Sequence, residues 1–489
     1  MKNKDFDFIK GKFDSAQPAI PEGLSKKQLR QKIESQEEHK IIKFNTNKSI
    51  NFKAIATAAA CFMLICGVAF ADSSKLADGS KISGFKSYDE LNSVTANLEQ
   101  ISSGESGCAE SLARFYKEEI GVESPDVIKA NGNYIYYAYH NSTSQNGRNK
   151  VYIFEADKQN TKLVSTINDI VPEDAEIYGI FVTDTRLVIN ASTDSDSLIK
   201  IYNINDKINP ILISEFRQSG KYANSRMINN SLYVVSDYSF APNNTSAVPS
   251  ISENNSSSLA SSKNIVSFEN VKLSQYAVIS TIDILSGKQS ADLKAVLGGN
   301  ANINCSKDYM FICEYSNNES SADNAIKLNL KSGKFSKATS SEIDEYISNP
   351  ARFENDSISR SIYAIGNYWL SIEENLNSAE STLVLYNKSM EKLDSIALKD
   401  TTVISKLAIN NNTFALPACF ADASRRYYGS IVFKIESDCI NIISEYKNDD
   451  DNLMYQGYCI IQNDYLYSFD INDNQSDTKK LKVFAYKYQ

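Results

Sequence analysis

A short pattern recurs seven times along the chain. A polar turn residue, most often Asn or Asp, is followed at once by a run drawn from Tyr, Leu, Ile, Val and Phe. The copies begin at Asn133, Thr185, Asn230, Asp308, Asn367, Asn412 and Asn463. Their separations are 52, 45, 78, 59, 45 and 51 residues, and the long interval holds a Ser/Asn-rich insertion. A unit of this size, rich in short strands, cannot hide its own apolar sheet faces, so neighbours must stack. A period of about 45–50 residues in such a chain points to a β-propeller. Segments such as Val151–Glu155, Leu163–Ile167, Glu176–Val182 and Arg186–Ala191 are short, rich in β-branched and aromatic residues, and bounded by Asn/Asp/Gly/Ser turns. Roughly 26 such candidates, at about four per blade, give six to seven blades. The expected fold is all-β: a β-propeller of about seven four-stranded blades, preceded by a single transmembrane helix and a short cytoplasmic tail.

The charge is unevenly placed. The formal net charge is −9; residues 1–50 carry +4 and residues 72–489 carry −14. An acidic body argues against nucleic acid and anionic lipid surfaces as partners. Phe52 to Ala71 has Lys53 as its single charge, and about twenty residues at about 1.5 Å each span a bilayer core. Lys40, Lys43, Lys48 and Lys53 precede the apolar run and Asp72 follows, which puts the N-terminus in the cytoplasm and the body outside. Ala69-Phe70-Ala71 also fits a signal-peptidase site, so secretion after cleavage near Ala71 is the alternative. The expected organisation is a cytoplasmic tail (1–51), a membrane helix (52–71), a linker and lead-in (72–125), and the propeller (126–489) with a low-complexity insertion at 238–270. In the tail, Ser25 and Gln28 form a capping box for a short helix through about Glu38. In the lead-in, Leu112, Phe115 and Tyr116 fall at helical spacing within Glu110 to Glu119. The insertion has little to bury and is expected to be a mobile loop.

Several segments resemble a bacterial family of secreted or membrane-anchored proteins with a C-terminal β-propeller domain, distantly similar to WD-type propellers. Residues 199–237 are similar to its blade: a strand, an Asx-x-x-x-x-Pro turn, a strand, Gly-x-Tyr (Gly220 to Tyr222), Ser-Arg-Met (Ser225 to Met227) and a Tyr-rich strand. Residues 121–137 resemble its lead into the first blade, and 276–284 a middle blade. Ile20 to Ser25 ahead of one membrane helix resembles its Gram-positive members. The resemblance covers nearly the whole chain. After about residue 390 a Gly-rich segment and an Asp-Pro turn are replaced by Asn410 to Pro417. What it implies is fold and location, with no general activity.

Catalytic chemistry is thinly supported. The chain has two histidines; His39 lies in the tail and His140 in a polar turn, so no His-based zinc set and no H-E-x-x-H can form. G-x-S-x-G, G-x-G-x-x-G and phosphate-loop patterns are absent. Gly287-Lys288 and Gly333-Lys334 read as turns. Cys61 and Cys66 fall in the apolar run. Cys108, Cys305, Cys313, Cys419, Cys439 and Cys459 lie outside it, where disulfides can form, but blades need no staples and buried thiols are expected. Asp449-Asp450-Asp451 lacks calcium-loop spacing. Glu373 and Glu374 are neighbours on one strand and so point to opposite faces. The Tyr134–Tyr139 cluster reads as core. The Ser-Arg-Arg-Tyr-Tyr-Gly turn is harder to bury, and Arg425, Arg426, Tyr427 and Tyr428 are the candidate contact surface. No catalytic residue, cofactor or metal is assigned. The expected role is a monomeric, non-catalytic binding or scaffold platform for an envelope protein or glycan. The alternatives are an envelope sensor reporting through the tail and a carboxylate-based hydrolase.

Overall fold

The computed structural model of the protein describes residues 81–99, 115–116, 121–140, 149–242, 247–314, 324–346, 358–375, 380–403, 407–421, 426–448, 453–472 and 480–488. The tail and the expected membrane helix at 52–71 lie outside them. Among the described residues no helix is long and apolar enough to cross a membrane. Ala77–Gln489 is one compact unit.

The described strands pair into seven sheets. Sheet I holds Ile128–Asn131, Tyr134–His140, Asn149–Glu155 and Lys162–Ile167. Sheet II holds Glu176–Val182, Arg186–Ser192, Asp196–Asn203 and Ile211–Ser219. Sheet III holds Lys221–Ile228, Ser231–Ser239, Gln275–Asp283 and Lys288–Leu297. Sheet IV holds Gly299–Cys305, Tyr309–Glu314, Ala325–Asn329 and Phe335–Lys337. Sheet V holds Ile358–Ile365, Tyr368–Asn375, Ser381–Tyr386 and Lys392–Leu398. In sheet VI, Thr401–Val403 and Ala408–Asn410 both pair with Thr413–Ala421, followed by Arg426–Glu436 and Cys439–Asn448. Sheet VII holds Leu453–Gln462, Tyr465–Asn472 and Lys480–Lys487.

All seven copies of the sequence pattern fall at the turn joining the first strand of a sheet to the second. Five of the seven turns use left-handed backbone: Gly132, Asn229, Gly366 and Asn411, each one residue before the pattern's polar residue, and Asn463 with Asp464 adopt φ of 56°, 54°, 59°, 55°, 48° and 60°, a region open to Gly and tolerated by Asn and Asp. The apolar run follows because the second strand is covered on both sides by neighbouring sheets. Leu187, Val188 and Ile189 are all buried, as are Met310, Phe311 and Ile312, and Phe414, Ala415 and Leu416.

Apolar cores join sheets I to IV in series and sheets V to VII in series. Sheets I and II meet through Tyr136, Ile153, Ile180 and Leu187. Sheets II and III meet through Phe181, Phe216, Leu232 and Tyr276, and sheets III and IV through Val235, Ile279, Ile303 and Ile312. Sheets V and VI meet through Leu370, Leu385, Phe414 and Phe433, and VI and VII through Ala415, Val432, Cys459 and Leu466. The last sheet also shares a core with the first, where Tyr137 and Phe154 pack with Tyr467 and Phe469. Gln462 Nε2 donates to the Gly132 carbonyl across the same junction. A stack whose ends meet is the propeller arrangement, and the fold is an all-β, propeller-like one.

Two expectations from sequence are corrected. The helical spacing within Glu110–Glu119 does not make a helix at Phe115–Tyr116. Those residues form a strand paired in parallel with Ile362 and Tyr363 of sheet V. Backbone pairing with an available sheet edge overrides a weak local periodicity. Downstream, Val122–Glu123 pairs with Met227–Ile228 of sheet III, and Asp126 bridges to Ile180 of sheet II. The lead-in therefore lines the first-strand edges of three sheets before becoming the first strand of a fourth. Further upstream, helix α1 (Tyr88–Thr95), capped by Ser87 Oγ accepting from the Glu90 amide at 3.2 Å, buries Leu91 in the core of sheets II and III.

The second correction concerns the 238–270 insertion, which is not a loose loop in its described residues. Ser250–Glu253 and Ser256–Leu259 form a hairpin that extends sheet II beyond Ile211–Ser219. Ile265–Ser267 adds a parallel strand to sheet III. Ala247, Ile251, Ala260 and Ile265 enter the core of sheets II and III, and Val266 and Phe268 that of III and IV. Its sparse apolar residues are placed where they are buried, a pattern that average composition conceals.

Candidate functional site

Of the contact residues expected from sequence, Arg425 lies outside the described residues. Arg426, Tyr427 and Tyr428 open the third strand of sheet VI, opposite Ala421, Phe420 and Cys419. Strand alternation divides them. Tyr427 is half-buried against the core shared by sheets V and VI. Arg426 is exposed, and Tyr428 is 40 % exposed. Lys447 Nζ sits 4.7 Å from the Phe420 ring centroid at the same strand ends. A cationic and an aromatic side chain thus stand on a hairpin pinned by Tyr427 and Phe420.

The carboxylates expected to be non-cooperating occupy adjacent positions on Tyr368–Asn375. Burial pushes the Glu374 carboxyl above its usual range. Cys305, Cys313, Cys419, Cys439 and Cys459 are thiols, not disulfides. Burial pushes Cys313 up to about 11 and Cys459 up to about 12, which makes both poor nucleophiles. Cys108 and Asp449–Asp451 lie outside the described residues. His140 ends the second strand of sheet I. Among the described residues no group of three or more His, Cys, Asp and Glu is placed to hold a metal ion.

A second cluster, missed in the sequence, sits where Arg186–Ser192 and Ser231–Ser239 end. The Tyr178 and Tyr222 rings lie 4.9 Å apart. Tyr178 Oη donates to Glu176 Oε2 at 3.1 Å, and burial followed by that carboxylate raises its phenol. Arg217 pairs with Asp196 at 3.2 Å. Phe240 stacks on Tyr276 at 4.9 Å. Asp237 lies on the opposite face of its strand, its Oδ1 without a hydrogen-bond partner, and burial lifts its carboxyl up to about 7.

One signal pointed here: the Gly-x-Tyr and Ser-Arg-Met segments. Gly220 has φ 94°, and a Cβ there would sit 2.6 Å from the Asp237 carbonyl oxygen. Tyr222 Oη pairs with Ser225 Oγ at 2.7 Å. Arg226 donates to Asn224 Oδ1 and to the Ser225 carbonyl, and Met227 enters the core. These residues fix the start of sheet III on sheet II.

No curated protein sequence matches the chain. Among solved structures, the β-propeller domain of the Trilobed protease from Pyrococcus furiosus is 10 % identical, with 75 % of this chain and 94 % of that chain covered and a TM-score of 0.37. A hypothetical selenium-binding protein from Sulfolobus tokodaii is 9 % identical over 75 % of this chain and 93 % of that chain, TM-score 0.38. An acylaminoacyl peptidase in complex with Z-Gly-Gly-Phe-chloromethyl ketone is 10 % identical over 76 % of this chain, TM-score 0.38, and this chain spans about half (52 %) of its length. The model of the beta propeller domain family matches residues 117–419, from the lead-in through the second strand of sheet VI, and the chain belongs to that family.

Proposed function

We propose that the protein is a non-catalytic binding or scaffold platform at the cell envelope, with the seven sheets acting as the seven blades of one ring. In this reading residues 52–71 anchor the chain, residues 1–51 face the cytoplasm, and the monomeric propeller stands outside, as in the secreted and membrane-anchored family it resembles. The observation that carries the binding role is the sheet VI hairpin. It presents Arg426 and Tyr428 outward while Tyr427 and Phe420 hold its base in the core. Arg and Tyr are the side chains that most often supply binding energy at protein interfaces, and tyrosine faces also stack on sugar rings. The ligand class is an envelope protein or glycan.

The test is capture from a detergent-solubilised envelope fraction with residues 77–489 and with the Arg426→Ala/Tyr428→Ala double variant. Loss of a specific bound species in the variant supports the hairpin as the contact surface. Equal capture by both removes it. The alternative of a sensor acting through the tail is supported by the Ser25–Glu38 segment, and failure of residues 1–50 to retain any specific partner counts against it. A carboxylate hydrolase has the weakest support, since Glu373 and Glu374 point to opposite faces of one strand.

A further inference from the structure

Among the described residues, the polar layer at the junction of sheets II and III is not repeated at another junction. Asn190, Gln218, Tyr276 and Ser280 are each 0 % exposed. Five of their atoms find no protein partner: both polar atoms of the Asn190 amide, Gln218 Oε1, Tyr276 Oη and Ser280 Oγ. Register places all four residues in this one junction. The Tyr222 amide donates to Ser192 Oγ at 2.9 Å, and Gln218 Nε2 donates to Ser236 Oγ at 2.8 Å and to the Val278 carbonyl at 3.1 Å. The Ser192–Ser197–Gln218 row of sheet II therefore docks on the Tyr222–Ser236–Val278 row of sheet III. One step along both sheets, the row of Asn190, Ile199 and Phe216 faces the row of Ser225, Val234 and Ser280. Tyr276 lies one step the other way, opposite Tyr238.

Elsewhere among the described residues such atoms come singly, at Tyr136, Asp237, Ser371 and Gln462. A buried polar group left unpaired costs free energy comparable to a lost hydrogen bond, so a folded chain does not accumulate five in one seam without a partner for them. The set combines an amide donor, two carbonyl acceptors and two hydroxyls, with no formal charge. Such a set needs no counter-charge and suits a small neutral molecule that both donates and accepts.

We propose that the seam between sheets II and III is a built water site, in which ordered waters bridge Asn190, Gln218, Tyr276 and Ser280. Sheets II and III then meet through a hydrated layer set within their apolar core, in contrast to the junction of sheets V and VI. Two readouts on residues 77–489 test this: the number of long-lived internal waters by oxygen-17 relaxation dispersion, and the thermal midpoint of Asn190→Leu and Ser280→Ala. A hydrated seam predicts slowly exchanging waters in the parent, fewer in each variant, and a midpoint lowered by a few degrees in each. A dry seam predicts that Asn190→Leu, which removes an unpaired amide at nearly constant volume, raises the midpoint with no change in the water count; that result overturns the proposal. Ser280→Ala deletes one hydroxyl and carries the same two readouts should Asn190→Leu fail to fold.

Discussion

The Tyr137 and Phe469 rings lie 5.2 Å apart, one in the second strand of the first sheet and the other in the second strand of the last. Phe154 adds an edge contact to Phe469 at 5.7 Å. Phe469 is 0 % and Tyr137 1 % exposed, so the two ends of the repeat array are joined by an interior as dry as any within it. Phe469→Ala is expected to cost about 3–5 kcal/mol, the range for deleting a fully buried ring. Urea unfolding should show this as a lower midpoint at unchanged slope. A loss under about 1 kcal/mol would mean that the ends are not packed in solution.

Asp237 links stability to pH. Its carboxyl is lifted from 3.8 to about 7 because burial disfavours the charged form. The folded state therefore holds the proton more tightly than the unfolded one. The neutral carboxyl's advantage is intact below about pH 4 and is lost as pH rises to about 7, by at most ~4 kcal/mol. Asp237→Asn should remove this slope. Thermal midpoints measured from pH 4 to pH 8 check the point, and parallel curves for parent and variant would refute it.

Lys327 is 3 % exposed and reaches Glu342 Oε1 at 2.7 Å, with its ammonium 5.1 Å from the Tyr309 ring centroid. Removing the acid leaves a buried cation without its counter-ion, whereas removing the base leaves a carboxylate that is partly in water. Glu342→Ala is thus expected to cost about 3–5 kcal/mol, and Lys327→Met clearly less. Chemical denaturation of the two variants side by side gives the order, and the reverse order would contradict this account.

Gly179 marks where the lead-in crosses sheet II. Its φ is 155°, and a Cβ would sit 3.0 Å from both the Asp126 amide nitrogen and Pro125 Cβ. Gly179→Val should push the lead-in off this edge. Hydrogen exchange is expected to speed up at Asp126 and Ile180, whose backbones bond each other at 3.3 and 2.8 Å, and to stay slow at Leu370 in sheet V. Unchanged exchange at Asp126 would show that the valine is accommodated.

The all-β class and the position of each first hairpin were legible because second strands are covered on both sides. Their apolar runs are nearly unbroken, as at Leu187–Ile189, and in five of the seven turns a Gly, Asn or Asp in left-handed backbone marks the turn before them. The lead-in was illegible, because Phe115 and Tyr116 are placed by pairing with Ile362 and Tyr363, nearly 250 residues away in the chain; no local spacing records such a partner. The insertion misled because a hairpin needs few apolar residues when Ile251 and Ala260 are the ones buried. The Arg426–Tyr428 turn was found by its composition, but the burial of Tyr427 depends on Phe420 across the strand. The polar seam at Asn190 could not be seen at all, since a lone Asn in a strand carries no sign of what it faces.

Ring closure is most directly tested by hydrogen exchange in sheet I after sheet VII is deleted. In residues 77–452 the amides of Tyr134 to Tyr139 should lose their protection, although the deleted strands lie more than three hundred residues away, because Tyr137 and Phe154 lose the core they share with Tyr467 and Phe469. Full protection of sheet I with fraying confined to sheet VI would contradict closure and describe an open stack.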